Sequence, residues 1–191
     1  MRKIAVFLLF IVSGFLMAQN PSKTALLLID IQDFYFPGGR SALVEPELAA
    51  QNAALLLENF RSRKQLVVHI KHQAEVGSDI YHLVEPLASE KVIVKREMNS
   101  FLNTDLQFYL KENQIDTVVL SGMQTHMCLE AATRAAHDFG FVVFVIADAC
   151  ATKDLSYKGT IIPAKDVHLS TLQTLQAYAK IMNTNQFLES K

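Results

Sequence analysis

Short apolar runs alternate with amphipathic segments along most of this chain, and few folds accept that pattern. Ala25-Leu26-Leu27-Leu28-Ile29 contains no polar residue, as in a strand covered on both faces. Leu66–Ile70, Val92–Val94, Thr117–Leu120, Phe141–Ile146 and Ala179–Met182 read as five further strands. Helical segments fall between them. From Pro46 to about Arg61, Leu48, Leu55, Leu56 and Phe60 share one helical stripe. Thr104-Asp105 caps a helix running to about Asn113, His126 to Phe139 forms another closed by Gly140, and the last runs from about Ala164 to Tyr178. Phe36–Arg40 (FPGGR) is a turn, and residues 151–163 read as a surface loop. Strict alternation of strand and helix gives a parallel sheet with helices on both sides. The sequence therefore predicts one α/β domain, a three-layer sandwich around a mostly parallel, Rossmann-like sheet of about six strands.

The N-terminus departs from this pattern. Arg2-Lys3 precedes an apolar run from Ile4 to Met17, and Ala18 precedes a polar boundary. A basic start, a short apolar core and a small residue before the boundary describe a secretory signal peptide, here residues 1–18. A spanning helix needs about 20 apolar residues, more than this run supplies. A membrane anchor or a buried first strand is the alternative. The expectation is a periplasmic or secreted protein, free of the membrane once the leader is cleaved near Ala18. The whole chain carries 18 Lys and Arg against 19 Asp and Glu. Cleavage removes two of the cations and leaves a mildly acidic protein, without the basic excess of a nucleic-acid binder. Half of the residues are hydrophobic, too many for a disordered chain, and two cysteines cannot build a disulfide scaffold.

In sheets of this kind, ligands bind outside the carboxyl ends of the strands. The residues found there are Asp30, His72, Lys95, the stretch Gly122–Cys128, and Asp148–Cys150. Cys128 lies between a buried strand and a helix start, with Thr125 a candidate N-cap. Unpaired N–H groups and the helix dipole there favour an anion, which predicts a lowered thiol pKa and a usable nucleophile. The alternative is a small buried core residue. Asp30 at the end of an apolar strand needs a partner, and Lys95 on the third strand can be that partner. A cap or structural hydrogen bond for Asp30, and a solvated strand end for Lys95, are the competing readings. Together an acid, a cation and a thiol at three strand ends allow a carboxylate to take a thiol proton.

TALLLIDIQDFYFPGG (residues 24–39), VIVKREMNSF (residues 92–101) and SGMQTHMCLEAATRAAHDFGF (residues 121–141) resemble, in order, the three signature segments of the isochorismatase-like cysteine hydrolase family. The resemblance extends from Thr24 to about Thr184, a single hydrolase domain over residues 24–184. It implies catalytic Asp30, Lys95 and Cys128, a cis peptide at Met123–Gln124, and an oxyanion hole formed by the backbone N–H groups of Gln124 and Cys128. It further implies hydrolysis of a C–N bond in a small-molecule amide or ureide through a thioester, no cofactor, and a homo-oligomer.

The match departs from the family in places. Metal-dependent members carry an Asp-x-His pair; the corresponding region here has His69, His72 and His82 but no such pair, so no metal is expected. Tyr35, His72 and Phe101 are the candidates for substrate contact, with Phe34 a rival to Tyr35 and core packing the competing role for the aromatics. Cys150 is either a buried bystander or a disulfide partner of Cys128. Vinyl-ether hydrolysis, a non-catalytic binding member of the fold, and a redox protein using both cysteines are the other functional readings.

Overall fold

The computed structural model describes residues 23–190, and the expected leader lies outside them. Strand β1 (Thr24–Ile29) leads through a 3-10 turn to helix α1 (Pro46–Ser62) and strand β2 (Leu66–His72). Strand β3 (Lys91–Lys95), helix α2 (Leu106–Glu112) and strand β4 (Thr117–Met123) follow. A π-helical turn, Thr125–Leu129, then opens helix α3 (Glu130–Asp138), which returns to strand β5 (Val142–Ala151). The chain ends with strands β6 (Leu155–Tyr157) and β7 (Thr160–Ile162), helix α4 (Ala164–Leu175), strand β8 (Lys180–Met182) and helix α5 (Thr184–Glu189).

Six strands form one sheet in the order β3-β2-β1-β4-β5-β8, every neighbouring pair parallel. Alternation along β1 explains the two cores. Ala25, Leu27 and Ile29 pack with α2, α3 and α4, while Leu26 and Leu28 pack with α1 and α5. β1 and β4 are buried along nearly their whole length, which is why Ala25–Ile29 and Val118–Leu120 read as unbroken apolar runs.

Four local expectations are corrected. Leu48 and Leu55 face outward on α1, and the buried stripe runs instead through Ala49, Ala53, Leu56, Leu57 and Phe60. The small alanines let α1 close onto the sheet. β5 continues to Ala151, so Asp148 and Cys150 lie within the strand rather than beyond it. The polar Asp148 hid this continuation, yet its carboxylate accepts from the Thr184 N–H and hydroxyl, each at 2.8 Å. Residues 151–163 contain the β6–β7 antiparallel hairpin in place of a plain loop. Helix α4 stops at Leu175, and α5 follows β8 behind a capping box of Asn183 and Gln186. Among the described residues, no helix is long and apolar enough to cross a membrane.

Candidate active site

β1 occupies the middle of the sheet, between β2 and β4. Asp30 leaves its end in the left-handed region, with φ 50°, a conformation that aspartate tolerates better than most residues. On one side, Lys95 ends β3 in register with His72 at the end of β2. On the other, β4 ends at Met123, the Met123–Gln124 peptide is cis, and the π-helical turn begins. Gly122 at this point has φ 130°, and a Cβ there would overlap the Ile29 carbonyl. Only glycine lets β4 approach β1 this closely.

These strand ends bring Asp30, Lys95 and Cys128 into one buried cluster. The Lys95 ammonium lies 2.7 Å from Asp30 Oδ2, and both side chains are sealed from solvent. The same Nζ is 3.2 Å from Cys128 Sγ, 3.2 Å from His72 Nδ1 and 3.1 Å from the Glu97 carbonyl. Cys128 Sγ also lies beside the Asp30 carboxylate, within 4.8 Å, and 3.5 Å from Met98 Sδ. Ligand-capable atoms of Asp30, His72 and Cys128 fall within 4.8 Å of one another. A cation bound there would compete with the Lys95 ammonium, which already contacts all three residues.

The electrostatics differ from the sequence expectation in one respect. Burial pushes the Cys128 thiol up to about 12, and the neighbouring Asp30 charge adds to the shift while Lys95 opposes it. Proximity to a helix start does not offset removal from water beside a carboxylate. Burial also raises Asp30 above its ordinary range, with the Lys95 ammonium opposing. His72 is held below the usual histidine range by burial and by Lys95. The resting site at neutral pH therefore holds a protonated thiol beside the Asp30–Lys95 pair, with a neutral imidazole at its edge.

Tyr35 is buried, and its hydroxyl accepts from Gln124 Nε2 at 3.3 Å. That contact places the ring beside the turn that carries Cys128. Phe34 packs against Tyr35 and under the Arg40 guanidinium. His72 stands at the rim of a surface depression of about 520 Å³ lined also by Gln73, Ala74, Glu75 and Arg96. Phe101 takes the core role, its ring tilted against Phe139 and Phe141 with centroids at 5.4 and 6.2 Å. His126 turns away from the thiol toward Thr152, with Nδ1 2.6 Å from its hydroxyl. His69 is buried against Glu90 and takes no part in the cluster. Cys128 and Cys150 are both free, and the Cys150 thiol donates to the Ile146 carbonyl.

Two contributors escaped the sequence reading. Gln32 holds the end of β2 from across the sheet: its Oε1 accepts from the His72 N–H at 2.7 Å, and its Nε2 donates to the His72 and Ser78 carbonyls at 3.1 and 2.7 Å. Its place two residues after Asp30 was the available signal. Met98 reaches Cys128 through a turn, and no sequence pattern marks that contact.

A sequence model described as the Isochorismatase domain matches residues 24–185. The chain belongs to the isochorismatase family. It is 44% identical over 178 residues to the uncharacterized isochorismatase family protein YddQ of Bacillus subtilis, covering 87% of this chain and 99% of that one. It is similar to the crystal structure of an isochorismatase-hydrolase candidate from Oleispira antarctica, with TM-score 0.86, 37% identity, and coverage of 90% of this chain and 99% of that chain. A streptothricin hydrolase of Streptomyces noursei is 29% identical over 140 residues, covering 69% of this chain and 50% of that enzyme. Like other isochorismatase-family members, this protein is a hydrolase.

Proposed function

We propose that this isochorismatase-family hydrolase cleaves the C–N bond of a small amide or ureide through a thioester on Cys128. The observation that carries the reading is the buried contact of thiol, carboxylate and ammonium. A carboxylate held beside a thiol can take its proton as the sulfur attacks a carbonyl carbon. Asp30 is that base. Lys95 holds Asp30 ionised before attack and stabilises the pair of charges during it.

The backbone N–H groups of Gln124 and Cys128 receive the oxyanion, and each such donor typically contributes about 3–4 kcal/mol. Protonated Asp30 then returns its proton to the departing ammonia or amine, leaving acyl-Cys128. Water, deprotonated by Asp30, attacks the thioester and releases the acid, and the thiol regains its proton. Tyr35 and His72 flank the substrate. A vinyl-ether substrate would leave Cys128 without a task, so the thiol's place in the cluster favours the amide. We further propose that residues 1–18 are removed on export, which the intact mass of secreted protein tests directly.

The test is ammonia or amine release across a panel of small amides and ureides, with Cys128→Ala as control. Release by the wild type and none by the variant is expected. Equal release by both, or cleavage confined to vinyl ethers, would overturn the reading.

A further inference from the structure

Met98 lies in the turn after β3, three residues beyond Lys95, and its Sδ is in contact with Cys128 Sγ at 3.5 Å. The two touching sulfurs differ in what governs their oxidation. Cys128 is 3% exposed and held as a protonated thiol, whereas oxidants react with thiolates. Met98 is 43% exposed, and a thioether needs no ionisation to react. Met123 is fully buried, and Met127 and Met182 are partly covered, so among the described methionines Met98 is the most open.

We propose that Met98 is a reversible oxidation site that controls the reactivity of Cys128. A hydroperoxide transfers one oxygen atom to Sδ: its O–O bond breaks, the sulfur gives up two electrons, and water or an alcohol departs. The new sulfoxide oxygen is a strong hydrogen-bond acceptor on an atom that already touches the thiol. It competes with Asp30 for the thiol proton and sets a polar group on the outer side of the nucleophile. Attack by Cys128 slows until the sulfoxide is reduced. The inference rests on reading Cys128 as the nucleophile, but its test needs no substrate and is separable from the amide panel.

The experiment treats the protein and Met98→Leu with hydrogen peroxide, then follows peptide masses and the rate of Cys128 alkylation by iodoacetamide. Oxygen should appear on Met98 before Met127, Met182 or either cysteine, and alkylation of Cys128 should slow several-fold. Incubation with the methionine sulfoxide reductases for both epimers should restore the rate. In Met98→Leu, peroxide should leave the alkylation rate at that variant's own untreated value. The proposal is overturned by oxygen arriving first on Cys128, by a Met98 sulfoxide with unchanged alkylation, or by slowing that persists in Met98→Leu.

Discussion

Cys128 rests as a protonated thiol, so the proposed chemistry depends on a base at the moment of attack rather than on a standing thiolate. Two outcomes follow for its titration. The rate of Cys128 alkylation should keep rising with pH toward about 12, where burial places the thiol, without the plateau near neutrality of a dipole-activated cysteine. Turnover should fall on the acid side as Asp30 gains its proton, with a midpoint above the ordinary 3.8 because burial raises that carboxyl. A pH–rate profile of the wild type checks the second. Replacing one partner of the buried pair has a structural cost as well. Lys95→Met leaves the Asp30 charge uncompensated and should destabilise the fold by about 3–5 kcal/mol, read from urea denaturation. Cys128→Ser keeps the shape of the site; its stability should stay near that of the wild type while turnover is lost.

At the scale of elements, the site exists because three strand ends and one turn meet, and the closest approach is at Gly122. Gly122→Ala puts a methyl group into the Ile29 carbonyl at a positive φ, so β4 must withdraw from β1. A lowered thermal midpoint together with lost activity is expected, since the displaced segment carries Gln124 and Cys128. The strands that build this frame were legible in sequence because burial on both faces leaves unbroken apolar runs, as in Ala25–Ile29. Asp30, Lys95 and Cys128 were legible because each directly follows, ends or closely succeeds such a run. Where polar groups are satisfied internally, the pattern failed. Asp148 interrupts β5 in sequence but not in space, because α5 supplies its partners. On α1, leucines suggested the buried face, yet alanines form much of it. Met98 was not legible at all, since its contact with Cys128 is made through space between a turn and a helix start.

The whole molecule has a second, partly buried polar cluster at the other end of the sheet. Glu90 accepts from both Arg61 Nε and Nη2 at 2.8 Å, and its Oε2 is 2.9 Å from His69 Nε2, tying α1, β2 and the approach to β3 together. Hydrogen bonds from Arg61, Leu87 and His69 outweigh desolvation and hold Glu90 down at about 2, against 4.5 for the free group. Burial keeps His69 below 6.5, and its buried Nδ1 has no acceptor to receive a proton's hydrogen bond. Both folded-state values lie below the unfolded ones, so the unfolded chain binds more protons as pH falls. The contribution of this cluster to stability should therefore be full above about 6.5, decline first as unfolded His69 gains its proton, and decline further from about 4.5 toward about 2 as Glu90 titrates. Urea midpoints across that range measure it, and Glu90→Gln should flatten the lower part of the curve.

The proposed chemistry rests on acyl transfer through Cys128. Its most direct measurement is acid quenching during turnover of an amide or ureide found in the panel, followed by peptide mass mapping. The substrate's acyl group is expected on the peptide containing Cys128, with no turnover in Cys128→Ala. Steady turnover with that peptide unmodified and Cys128→Ala fully active would contradict it.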